Sequence, residues 1–209
     1  MLISLLASHP LIFLLDCLAL IISITIHECS HALVADKLGD PTPRLQGRIT
    51  LNPLAHLDPI GTILLLVIGL GWGKPVEIDS YNFRHPRPDQ ALVAAAGPLS
   101  NLLLATLLAI IVRFTGLGSD LFALFAIPII SINVALAIFN LVPVSPLDGG
   151  KILIGIAPKE MAREWAHVLN QYGTFILLAL IIPWWNGMSP ISVLINPIIN
   201  GILNILLPM

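Results

Sequence analysis

Charge is scarce in this chain. Only 11% of its 209 residues are Asp, Glu, Lys or Arg, against roughly 25% in a soluble domain. That scarcity excludes an ordinary water-soluble enzyme. No basic run is present to track a phosphate backbone, so nucleic acid is not an expected partner, and a net charge of −2 points to no other. The only cysteines, Cys17 and Cys29, lie twelve residues apart on one apolar segment. As a helix that spacing is about 18 Å of rise, which excludes a disulfide between them. No Lys or Arg precedes the first apolar stretch, so it reads as a retained span rather than a cleaved leader. Neither an internal repeat nor a low-complexity linker divides the chain, and 1–209 reads as a single domain. What is present is apolar: 56% hydrophobic residues and a mean hydropathy of +0.92. The fold class is therefore an all-α polytopic membrane protein in a lipid bilayer.

Apolar stretches occur at 10–35, 58–73, 90–113, 120–142, 165–185 and 189–208. A spanning helix needs about 20 residues. The 58–73 stretch is short and is interrupted by Gly61, Gly69, Gly71 and Gly73. Charge chooses between two topologies. If 58–73 does not cross and residue 1 lies outside, nine of the ten basic residues are cytoplasmic and only Arg113 is outside. If it crosses, the best orientation puts six inside. The positive-inside rule predicts about five spanning helices plus a re-entrant element at 58–73. Trp72, Trp184 and Trp185 fall at segment ends, where aromatic belts form. Residues 48–52 alternate polar and apolar, which predicts a short membrane-associated β segment near 47–52. Asn196, Asn200 and Asn204 form a polar stripe that packs either on the bundle or on a second subunit of a homo-oligomer.

Residues 27–31 read His-Glu-Cys-Ser-His. On a helix His27 and His31 project one turn apart from the same face and can ligate one metal. Glu28, offset by about 100°, can act as general base on a water in the remaining position. Ionisable groups within a span are costly and mark function. A catalytic zinc needs a further protein ligand, and the candidates are Asp16, His56, Asp58 and Asp148. Asp16 lies about 16 Å along the helix from His27 and is too far. Asp148 follows a helix broken by Pro143 and Pro146 and would open a new one. Only if 58–73 stays uncrossed do Asp148 and the histidines lie on the same side. Zn²⁺, Asp148 and ionised Glu28 with two neutral histidines sum to zero charge, the cheapest arrangement at membrane depth.

These residues resemble the site-2 protease family of intramembrane zinc metalloproteases, in its compact form without PDZ or CBS domains. The resemblance rests on the His27–His31 motif, Gly47–Thr62, Gly71–Val76, Ala96–Asn101 and Asn140–Gly150. It implies hydrolysis of peptide bonds within or beside transmembrane segments of other membrane proteins. It also implies one catalytic Zn²⁺ on His27, His31 and Asp148, Glu28 as base, and Asn140 as support for substrate or transition state. Ala94, Gly97 and Asn101 share a helix face. Asn101 serves either packing or, as an amide near the oxyanion, the transition state. Asn133 lies seven residues before Asn140 on one face. Unwound substrate is expected to pair as a strand with 48–52 or 143–147. The position is a multi-pass protein of the cytoplasmic membrane with its site toward the cytoplasm. A binding-only homologue would not need Glu28, and a metal transporter would spread its polar groups along the whole path.

Overall fold

The computed structural model describes residues 6–68, 71–114, 120–184 and 187–207. Trp185 and Gly69 lie outside the described residues. The chain runs through α1 (Pro10–Leu38), α2 (Pro59–Ile68), α3 (Pro86–Phe114), α4 (Asp120–Asn140), α5 (Asp148–Ile156), α6 (Lys159–Ile181) and α7 (Pro190–Leu206). A single helical turn at Thr42–Leu45 follows α1. Pro10 opens α1 at a position where no amide is needed, and Gly39, at φ 113°, closes it in the left-handed region.

Among the described residues, three helices are long and apolar enough to cross a membrane: Pro10–Leu38, Pro86–Phe114 and Phe122–Asn140. This is fewer than the five spans expected. Of the stretch 165–185, residues 165–181 belong to α6, where His167, Asn170 and Gln171 interrupt it and leave only Phe175–Ile181 continuously apolar. The last stretch forms only the 17 residues of α7. Helix α3 packs against α1, α4 and α5 and is the centre of the bundle. Its buried face is made of small residues (Ala91, Ala94, Gly97, Asn101, Ala105 and Ala109). With no bulky side chain between them, the backbones approach closely and dispersion can act between helices. Ala105 and Ala109 meet Ala126, Ile130 and Val134 of α4, and Ile199, Ile202 and Leu203 of α7 cover this cluster. Asn196, Asn200 and Asn204 are exposed, so the stripe does not pack within the chain.

The segment 58–73 leaves and returns at one place. Leu57 and Gly73 form an antiparallel bridge, and the Lys74 amide donates to the His56 carbonyl at 2.8 Å. The β segment expected near 47–52 is absent; these residues form a loop. The reason is local. Arg48 is buried, its amide is spent on the Pro43 carbonyl, and its guanidinium donates to the Ala55 and Lys74 carbonyls. The Thr50 carbonyl accepts from His56 Nε2 at 2.8 Å. The alternation of residues 48–52 therefore reflects an inward-turned arginine and a folded loop, not a sheet face.

Asp40 ties the end of α1 to the far end of the segment that follows Gly73. Its carboxylate is wholly buried and accepts from the Thr42 amide and hydroxyl, the Asn82 side chain and the Asp79 amide. Desolvation alone would raise its pKa, but the hydrogen bonds outweigh it and hold the carboxyl below the usual carboxylate range. A depressed folded pKa gives stability that is present above the unfolded value of about 3.9 and lost as pH falls through the folded value. Asp40→Ala is expected to cost about 1–3 kcal/mol at neutral pH by removing a buried charged acceptor of several hydrogen bonds. Thermal melts of both proteins across pH check this: the gap should narrow in acid, and a gap independent of pH would contradict the assignment.

Candidate metal centre

The motif helix behaves as its spacing requires. His27 and His31 project from one face of α1 with their rings nearly perpendicular, 88° apart at a centroid distance of 4.6 Å. Asp148 is the first residue of α5, preceded by the turn that follows Asn140. An anion there is favoured by the helix N-terminus. Asp148 Oδ2 lies 3.0 Å from His27 Nε2 and 3.2 Å from His31 Nε2. All three residues are buried, and their ligating atoms fall within 4.8 Å of one another.

The other ring nitrogens are committed elsewhere. His31 Nδ1 is 2.7 Å from the Val93 carbonyl, which can only accept, so that nitrogen carries the hydrogen. His27 Nδ1 is 2.6 Å from Asn101 Oδ1. Both Nε2 atoms thus face the carboxylate and are the nitrogens that a metal bound between them and Asp148 would take. Tetrahedral zinc with bonds of about 2.0–2.1 Å would set its ligands about 3.3 Å apart, close to the two observed separations. Behind the pair stands Gly97, where a Cβ would come within 2.5 Å of His31 Nε2 and 2.6 Å of His27 Cε1. The residues present fit one zinc ion.

Beside this cluster is a cavity of about 410 Å³ lined by Glu28, Trp72, Val76, Asn140, Leu147 and Lys151 among others. Glu28 Oε2 accepts from the Val76 amide at 3.1 Å. Lys151 Nζ is 3.8 Å from Asp148 Oδ1, on the side away from the histidines.

Comparison with known proteins agrees with this chemistry. Residues 117–180, which include Asp148 but not the histidines, match the model of Peptidase family M50. Over 173 residues the chain is 40% identical to YwhC of Bacillus subtilis (strain 168), covering 79% of this chain and 78% of YwhC. This chain belongs to peptidase family M50. The M50 chain is also 27% identical over 185 residues to the Stage IV sporulation protein FB of Bacillus subtilis (strain 168), covering 84% of this chain and 62% of that one. It is 26% identical over 178 residues to MJ0392 of Methanocaldococcus jannaschii, covering 85% of this chain and 44% of MJ0392. YwhC and MJ0392 carry the names of zinc metalloproteases. No solved structure matches the chain. The protein is a multi-pass membrane metalloprotease of this family.

In this M50 site the remaining candidate residues fall in distinct places. Asp58 caps α2 by accepting from the Gly61 amide at 2.7 Å. His56 is fully buried behind the neck of the 58–73 segment, and neither it nor Asp16 lines the cavity. Asn140 lines the cavity and donates one amide hydrogen to the Leu136 carbonyl. Asn101 does not reach the cavity. It is wholly buried behind His27, and its amide group is spent on Ser23 and Asn133. Its place is that of a partner to a histidine, not of a contact to an oxyanion. Sequence reasoning missed the Val76 amide and the Val93 carbonyl because backbone groups leave no residue-type signal. It counted Lys151 only as a topological charge.

Proposed function

We propose that this M50 metalloprotease hydrolyses peptide bonds within or next to transmembrane segments of other membrane proteins, with one Zn²⁺ on His27, His31 and Asp148. The observation that carries the reading is the location of the cluster. Three groups that can ligate a metal are buried, with the half-buried Glu28 carboxylate beside them, among helices long and apolar enough to cross a membrane. They open onto a cavity whose lining is mostly apolar. Such a site suits a substrate that arrives through lipid rather than water.

When bound, zinc supplies Lewis acidity to the scissile carbonyl and to the attacking water. Glu28 takes the proton from that water, its carboxylate held in place by the Val76 amide. Asn140, with one amide hydrogen and its oxygen unspent on Leu136, is placed to hold a substrate carbonyl. Asp148 and the two neutral histidines keep the site near charge balance once Glu28 is ionised. Extended substrate backbone has two neighbours in the cavity wall, the run Gly71–Ile78 and Pro146–Leu147. The loop 48–52 does not line it, and its backbone is partly spent on Pro43 and His56. The distribution of basic residues supports a cytoplasmic-membrane position with the site toward the cytoplasm.

A cleavage assay tests the proposal. The purified protein in detergent is offered single-span substrates and water-soluble segments of similar composition, and product masses locate the cut. Cuts within or beside the spans are expected, abolished by chelator and restored by added zinc. Cleavage of the soluble segments alone, or cleavage indifferent to chelator, would overturn it.

A further inference from the structure

We propose that Asn133 and Ser23, remote from the cavity, are positioning residues that set the tautomer of His27 through Asn101. The proposal rests on His27 being a metal ligand. Its ground is a chain of hydrogen bonds whose direction allows no choice. Ser23 Oγ donates to the Ala19 carbonyl at 2.7 Å, so towards Asn133 its oxygen accepts. Asn133 Nδ2 lies 2.7 Å from Ser23 Oγ and 2.8 Å from the Ile129 carbonyl. A carbonyl cannot donate, so the nitrogen of this amide must face Ile129 and its oxygen must face the other way. That oxygen receives Asn101 Nδ2 at 2.7 Å, and the second Asn101 hydrogen goes to the Ser23 carbonyl at 3.0 Å. Asn101 therefore presents oxygen to His27 Nδ1, at 2.6 Å. The ring keeps a hydrogen on Nδ1, which leaves Nε2, toward Asp148, as the nitrogen that a metal would take.

The chain crosses three helices, from α1 to α4 to α3 and back to α1. Ser23, Asn101 and Asn133 are each 0% exposed, so no water can substitute for a missing partner. Two main-chain carbonyls, those of Ser23 and Ile129, anchor the polarity at separate points. Asn101 alone would be held by one of them. Asn133 adds the second hold, and this distinguishes it from a residue that merely fills space.

The test uses the full chain in detergent with ¹⁵N-labelled histidine. Ring nitrogen shifts of the metal-free protein report whether each Nδ1 carries its hydrogen, and competition with a chromophoric chelator reports zinc affinity. His31, held by a backbone carbonyl, is the internal reference and should stay constant. Loss of an outer partner of a metal-bound histidine lowers affinity about 10–100-fold. Asn101→Leu should fall in that range. Asn133→Leu, close to the native volume, should weaken zinc by about tenfold, the lower end of that range, and populate the second His27 tautomer. Ser23→Ala should move both readouts the same way by less, and it serves if Asn133→Leu does not fold. Unchanged affinity and an unchanged His27 tautomer in folded Asn133→Leu, or in Ser23→Ala where that variant must serve, would overturn the proposal. His27→Ala separates the two levels: zinc bound as tightly as in the parent would instead remove His27 from the metal centre.

Discussion

Glu28→Gln is expected to abolish peptide cleavage and leave the metal in place. The substitution preserves length and shape, and the new amide oxygen can still accept from the Val76 amide that holds Oε2 in the parent. What it removes is the ability to take a proton. General-base catalysis by a positioned carboxylate contributes roughly 10²–10⁴-fold, so residual activity should fall by at least that lower bound. The metal should be retained because Glu28 is not among the three clustered ligands. Cleavage rate on a single-span substrate and metal content by elemental analysis are measured on the same preparation. Parent-like cleavage with metal bound would remove Glu28 from the mechanism. Loss of both metal and activity would make it a ligand instead.

Gly97→Ala carries the second large effect, and it acts without touching any polar atom. A Cβ at position 97 would sit 2.5 Å from His31 Nε2 and 2.6 Å from both His27 Cε1 and His31 Cε1. Neither ring can swing aside cheaply. His31 is pinned by the Val93 carbonyl and His27 by Asn101. Overpacking a filled interior costs about 1–3 kcal/mol, and here the strain falls on the ligand atoms themselves. Zinc affinity should drop by more than about tenfold, the smaller loss seen when a ligand's outer partner is removed. The fold should survive, since α1 and α3 still meet through Ala32, Ala35 and Val93 nearby. Chelator competition and a thermal melt of the metal-free protein separate these outcomes. Parent-like zinc affinity would show that the helices part to make room and that the glycine is not required for the site.

The meeting of His27, His31 and Asp148 was legible because it is written in residue types. Two histidines one turn apart admit few readings, and the distribution of basic residues puts Asp148 on their side. The closure of 58–73 was legible for the same reason, since its glycines and flanking charges oppose a crossing. Other features resisted. The alternation at 48–52 imitates a strand because Arg48 turns inward to bond carbonyls, a tertiary use that period-two patterning cannot distinguish from a sheet face. The segment 165–185 reads as a span from its apolar second half, although His167, Asn170 and Gln171 break its first half. For Asn101 the residue pattern leaves packing and an oxyanion contact open and does not point to His27 as its partner. Residue spacing gives the face of a helix, whereas the depth of a side chain behind His27 depends on how closely α1 and α3 approach.

Two members of the cluster that could hold the metal, His27 and Asp148, lie 121 positions apart, and that separation has a consequence for biosynthesis. A nascent chain that has inserted only α1 holds two histidines and no carboxylate partner. The residues that aim His27 arrive with α3 and α4, and Asp148 arrives after both. Until that last turn emerges, the growing polypeptide lacks the carboxylate of the cluster. A product truncated before Asp148 therefore holds two histidines of the group and no third member.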